Sequence, residues 1–432
     1  MKAVLVLIFL GIVLEAQNDP AFAAYQAWDQ SHRTDGWDAR EKSLFEVSAE
    51  WVKKWPDSRI AWDQRRAAVI DTRSRDSELW KQVDENLIRL NPPHAFAALA
   101  AYDWVTAGVN VKDGESLAAS EIAWLDSQPH PALPPDATLN ELLERAESSA
   151  RPFGLRCTLA SAQIQLKEFS DAGKTIDRLH GWLEGDFKRY FDDDPLETYP
   201  DYGAKYFLLS GQLAEAEARP ADAVAFYREV IANPYYRREY DGPVQHTREL
   251  WDRLGGTSAG WSALSAVPPL PAGVPKGFWG MPFEPWIAVD YKLPEMRLED
   301  MGGRTRTGTD FRGKATLVYV WASWCAPCWM ALSAIQSAFN STKGRQDVQV
   351  VTLSVDEDQS KLAAFLKQHG YTFPVLPGKK YAEGLLPADK LMSQMLIVDG
   401  EGSIRLVQHF GRIRDEVLAA ELSYKLSRMA PR

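Results

Sequence analysis

The sequence predicts two architectures in one chain: an all-α, repeat-like domain over residues 24–265, then an α/β domain with a central mixed sheet flanked by helices over residues 291–432. Three observations predict this. Apolar residues recur at helical spacing through the first part, as in Leu44-Phe45-Val47-Trp51-Val52-Trp55 and Leu79-Trp80-Val83-Leu87-Ile88-Leu90. A Pro-rich break follows, Val267-Pro268-Pro269-Leu270-Pro271 and then Met281-Pro282-Phe283-Glu284-Pro285, so residues 266–290 are expected to be an extended linker. Beyond it, short β-forming runs alternate with helical ones. The 16 Trp divide the same way: only Trp321, Trp324 and Trp329 lie beyond the break.

A chain of 432 residues exceeds a single core of ordinary size. Its net charge of −10, with no basic block, gives no support to nucleic-acid binding. At the N-terminus, Met1-Lys2 precedes an apolar run from Ala3 to Leu14, and Ala21-Phe22-Ala23 supplies small residues for cleavage. Residues 1–23 are expected to be a signal peptide, with cleavage after Ala16 as the competing site. The run falls short of the roughly 20 residues a spanning helix needs. The expected location is extracytoplasmic or periplasmic, membrane-tethered if the signal is retained.

Within the helical part, several helices end at Pro turns, and Pro56, Pro92 and Pro129 are 36 and 37 residues apart. The unit Tyr206 to Pro234 resembles a tetratricopeptide repeat, with Gly211, Ala223 and Tyr227 at the small, small and aromatic positions. A second copy is arguable at Ala160, Ala172 and Ile176. Stacked helical hairpins usually bind a partner on a concave face; filling gaps between helices is the plainer role for most of the aromatics. Asp192-Asp193-Asp194 lacks calcium-loop spacing and is expected to be a solvated acidic loop. Cys157, beside Leu155 and Leu159, is expected to be a small buried hydrophobe.

The chemistry centres on Ala315-Thr316-Leu317-Val318-Tyr319-Val320-Trp321-Ala322-Ser323-Trp324-Cys325-Ala326-Pro327-Cys328. A strand pattern runs into Cys-x-x-Cys, and an amphipathic helical pattern follows to Phe339. This puts Cys325 at or near a helix N-terminus, where the dipole and unpaired N–H groups favour a thiolate. Cys328 is then placed to resolve a mixed disulfide. A structural zinc site needs four ligands, and His369 and His409 form no ligand-spaced cluster with the pair. No metal or other cofactor is implied. With only three Cys in an exported chain, the pair fits exchange better than stapling.

Several motifs occur together: Asp310-Phe311-Arg312-Gly313-Lys314, Trp321 to Cys328, Phe373-Pro374-Val375-Leu376 and Val398-Asp399-Gly400-Glu401-Gly402. The segment from about Leu293 to Met429, a third of the chain, resembles the TlpA/ResA-type thiol–disulfide oxidoreductases of bacteria. The resemblance implies a thioredoxin fold and electron exchange with protein disulfides, such as those of apocytochromes. It implies Cys325 as nucleophile and Cys328 as resolving thiol, with Trp324, Ala326 and Pro327 shaping the site. The chain departs from that family at three places. Ala331 stands where an acidic residue is usual, with Ser333 in place of a following Pro. Tyr319 stands where some relatives bury an Asp. Ser393 takes the position of the cis-proline facing the disulfide, so the peptide there is expected to be trans, or the register shifted.

Two functional readings follow. In the first, the chain is an exported thiol–disulfide oxidoreductase whose helical domain recruits a substrate protein or an electron donor. In the second, it is a scaffold or binding protein whose thioredoxin fold has lost efficient catalysis. A thiol peroxidase would place Pro and Thr where Val318 and Ala322 stand, and a copper chaperone would want wider Cys spacing.

Overall fold

The structure is a computed structural model that describes residues 19–32, 37–128, 133–192, 200–234, 241–269, 286–387, 390–409 and 415–431. The apolar N-terminal run and most of the Pro-rich segment lie outside these residues, as do Asp193 and Asp194. Among the described residues no helix is long and apolar enough to cross a membrane. Contacts divide the chain into two units, residues 1–129 with 151–179, and residues 130–150 with 180–432.

The first unit is helical, and its helices begin where the sequence supplies caps. Ser58 accepts from the Ala61 N–H to open Arg59–Asp71, and the Asp76 carboxylate accepts from Glu78 and Leu79 to open Ser77–Leu90. Gly108, at φ +68, ends Ala97–Ala107 in the left-handed conformation. The apolar faces meet in a core of Trp62, Val69, Trp80, Val83, Leu87 and Trp104. Cys157 is half-buried here, more exposed than its apolar neighbours predict, and outside the disulfide.

In the second unit, the hairpin Lys205–Ala216 and Pro220–Ile231 brings Gly211 against Tyr227. A Cβ on Gly211 would stand 2.2 Å from the Tyr227 ring, so only glycine permits this approach. Asp192 corrects the expectation of a solvated loop. Its side chain, 15% exposed, pairs at 2.7 Å with the fully buried ammonium of Lys425 and at 3.2 Å with Arg428.

The α/β part of this unit is built on a six-stranded sheet in the order β1-β8-β7-β4-β5-β6. Its strands are β1 Ile287–Lys292, β4 Ala315–Trp321, β5 Val348–Ser354, β6 Val375–Pro377, β7 Gln394–Val398 and β8 Ser403–His409. β2 Arg297–Glu299 and β3 Thr305–Thr307 form a separate hairpin. β4, β5 and β6 run parallel, whereas β7 is antiparallel to β4, and β8 and β1 continue antiparallel. β4 is central and buried at every residue, which explains why it is apolar apart from Thr316 and the hydroxyl of Tyr319. Helices Ala326–Thr342, Gln359–His369, Lys379–Leu385 and Asp415–Met429 accompany the sheet. The mixed sheet flanked by helices is the predicted thioredoxin fold. β1 is an addition to the prediction, since it begins at Ile287, within the segment expected to be linker.

Leu139 and Leu143, 1% and 2% exposed, belong to the same core as the sheet. They lie on the helix Leu139–Gln165, deep in the stretch assigned from sequence to the helical domain. Trp286, with no exposed surface, donates through Nε1 to Glu421 at 2.6 Å and ties the start of β1 to the last helix.

Candidate active site

β4 ends at Trp321, and four residues later Cys325 is the N-cap of the helix Ala326–Thr342. The chain turns through two short hydrogen bonds, from the Cys325 N–H to the Ala322 carbonyl at 3.1 Å and from the Cys328 N–H to the Cys325 carbonyl at 2.9 Å. The first turn of the helix has Pro at its start, where a missing N–H costs no helical bond. Cys325 and Cys328 are joined in a disulfide with Cα atoms 5.3 Å apart. Cys325 is 7% exposed and Cys328 fully buried, so the first sulfur is the more accessible.

The loop before the pair is held by a residue the sequence reading missed. Asp356 is buried just beyond the end of β5. Its carboxylate accepts from the Ser323 N–H at 2.9 Å, the Ser323 hydroxyl at 2.6 Å and the Ser354 hydroxyl at 2.7 Å. The signal available in sequence was an acidic residue following a β-strand whose parallel neighbour carries the Cys pair. Trp329 adds a second tie, donating through Nε1 to the Ser323 carbonyl at 2.8 Å. Together these leave Trp324 standing out beside the disulfide at 63% exposure, with Trp329 and Met330 also exposed on the same turn of chain. An apolar surface next to a reactive sulfur can receive an unfolded or extended polypeptide.

Ser393 lies where strand alignment placed it. β7 starts at the next residue, Gln394, opposite Val320 of β4, and the Ser393 hydroxyl donates to the Cys328 sulfur at 3.1 Å. No described peptide bond is cis. Ser393 has φ +58, the left-handed region that non-glycine residues seldom occupy. The loop is anchored by buried Leu391 and by Lys390, which pairs with Glu147 at 2.7 Å.

Tyr319 and Ala331 stand where the sequence resemblance led to the expectation of carboxylates. Tyr319 is fully buried on β4, and its hydroxyl donates to the Cys328 carbonyl at 3.0 Å. Burial pushes its phenol well above the ordinary value, so it remains a neutral donor. Ala331 is fully buried in the core, where a carboxylate would need repacking and a partner. Among the described residues no carboxylate hydrogen-bonds to either sulfur, and no group of acidic residues, His and Cys is arranged to hold a metal ion.

A strand–turn–helix bearing a disulfide at the helix N-terminus, on a sheet with this strand order, defines the fold of the C-terminal domain as thioredoxin-like. The AhpC/TSA family model matches residues 289–385. More particularly, the chain is similar to proteins named thiol–disulfide oxidoreductase ResA. It is 25% identical over 127 residues to that of Geobacillus thermodenitrificans, covering 28% of this chain and 69% of the relative. It is 30% identical over 90 residues to that of Bacillus subtilis, covering 21% of this chain and 50% of the relative. A solution structure described as a putative protein disulfide isomerase from Bacteroides thetaiotaomicron aligns at 23% identity, over 34% of this chain and 92% of that one, with a TM-score of 0.30.

Proposed function

We propose that the chain is an exported thiol–disulfide oxidoreductase that exchanges electrons with protein disulfides through Cys325 and Cys328. The observation that carries this reading is the disulfide itself, capping a helix with its more accessible sulfur at the N-cap and its other sulfur buried. Cys325 is the nucleophile: it sits at the N-cap, where the positive end of the helix dipole favours its thiolate. It attacks a substrate disulfide, one substrate sulfur leaves as thiolate, and a mixed disulfide forms. Cys328 then attacks Cys325, releasing the second substrate thiolate and closing the disulfide seen here.

The apolar run Ala3–Leu14 supports export, and an extracytoplasmic location suits a chain that keeps its disulfide. Tetratricopeptide-like packing at Gly211 and Tyr227 supports a helical domain that recruits the substrate protein or an electron donor. The rival reading, a binding protein with a weakened site, draws on the replacement of the family's acidic residue by buried Ala331.

Trapping separates the two. In Cys328→Ser, the mixed disulfide between Cys325 and a substrate cannot be resolved, so covalent adducts that disappear on reduction are expected on non-reducing gels. Mass spectrometry should place them on Cys325. Adducts through Cys157 alone, or none with any disulfide-bearing substrate offered, would contradict the exchange reading.

A further inference from the structure

We propose that Ser393 is a catalytic residue of this couple: its hydroxyl holds the negative charge that Cys328 receives when the disulfide opens. The inference rests on the oxidoreductase reading and deepens it.

The sulfur that must leave is the buried one. When the thiolate of a donor protein or a small dithiol attacks the Cys325 sulfur, a new S–S bond forms there. The Cys325–Cys328 bond breaks, and its electron pair stays on Cys328 as a thiolate. Charge therefore passes from an incoming sulfur at the surface to one with no exposed area. Burial alone disfavours a thiolate. The Ser393 hydroxyl offsets this, since it already donates to that sulfur at 3.1 Å and is itself only 3% exposed. In the return direction the same hydrogen bond keeps Cys328 ionised for attack on the mixed disulfide at Cys325.

The backbone shows how the hydroxyl is aimed. Ser393 is held at φ +58 between buried Leu391 and the first residue of β7. Serine accepts this conformation less readily than glycine, yet only a side chain can reach the sulfur. Tyr319 is a positioning residue. Its hydroxyl fixes the Cys328 carbonyl.

The test compares the full-length wild type with Ser393→Gly, Ser393→Ala, Ser393→Thr and Tyr319→Phe. Two quantities are read: the rate of disulfide opening by dithiothreitol, and the pH profile of iodoacetamide labelling at Cys328, resolved by peptide mass spectrometry. Glycine relieves the backbone while alanine retains it, so an effect common to both belongs to the hydroxyl. Both are expected to slow opening about ten- to a hundred-fold, the scale of a hydrogen bond to a charged group. Both should also move the Cys328 profile to higher pH with that of Cys325 unchanged. Ser393→Thr should recover part of the rate, and Tyr319→Phe should give a smaller shift in the same direction.

Wild-type rate and profile in both hydroxyl-free variants would overturn the role of Ser393 while leaving the exchange reading intact. If those variants fail to fold, the wild-type profile decides. Labelling of Cys328 at or below the ordinary thiol range of about 8.5 supports the proposal, and a value well above it overturns it. A wild-type disulfide that dithiothreitol cannot open would remove the exchange reading, and this inference with it.

Discussion

Replacing Cys325 with Ser is expected to abolish disulfide exchange, lowering the rate by at least about three orders of magnitude, the scale on which loss of an obligatory nucleophile acts. A hydroxyl at this N-cap has the same position and the same N–H environment but is not ionised near neutral pH. Because Cys325 occupies an N-cap, where serine is itself favoured, the helix Ala326–Thr342 should survive the change. The fold and the chemistry are thereby separated. The check is the rate of reduction of a protein disulfide substrate, with the melting temperature followed alongside. Full activity in a folded Cys325→Ser protein would place the nucleophile elsewhere.

The second large effect is expected in the first unit and depends on pH. Asp84 lies on the helix Ser77–Leu90 with no exposed surface, and neither carboxylate oxygen makes a well-formed hydrogen bond. Burial and the negative charge of Asp103 push its carboxyl up to about 8, against weaker pulls from Arg66 and the Trp104 indole N–H. Asp103 is raised by burial as well, although Arg66 pairs with it at 2.5 Å, and burial lifts Asp63 to about 6.

A folded value above the unfolded one means that the folded state binds the extra proton. Stability is then greatest below the unfolded value and declines as pH rises through the folded value. Between about pH 4 and 8, Asp84 is expected to withdraw up to of order 5 kcal/mol from the helical unit. Far-UV circular dichroism melts should therefore show a melting temperature falling from pH 5 to pH 8. Asp84→Asn cannot ionise and should flatten most of that fall, with a remainder from Asp63 and Asp103. An unchanged slope in the variant would contradict this account of the buried carboxyl.

What was legible in the sequence was local. The strand into Cys325, the helix out of Cys328 and the turn at Asp399-Gly400 are each set by residues within a few positions of one another. Period and turn chemistry therefore located them. Ser393 was expected against the disulfide only through the family resemblance, by aligning on the strand that ends Ile397-Val398-Asp399, and in the structure β7 begins at the next residue.

What escaped depends on pairs far apart in the chain. Asp356 grips Ser323 across 33 residues, and nothing in either local pattern marks that bond. Tyr319 looked like a lost carboxylate, whereas its hydroxyl serves the Cys328 carbonyl, a contact that only the packed β4 and helix create. Leu139 and Leu143 have an ordinary helical period, and periodicity does not tell which core a helix face will join. Asp192 is acidic and flanked by acids, which suggests solvent, but the buried Lys425 that it neutralises lies 233 residues away.

The central claim is that Cys325 and Cys328 form a reversible two-electron couple. Its most direct test is a titration of the full-length protein against defined dithiol/disulfide buffers, with free thiols at Cys325 and Cys328 counted at each potential. One reversible transition is expected, in which both thiols appear and vanish together, and its midpoint then assigns the chain as reductant or oxidant on the scale running from about −270 mV for thioredoxin to about −120 mV for the strongest oxidant of the class. A pair that opens but never closes again at any potential would contradict the account.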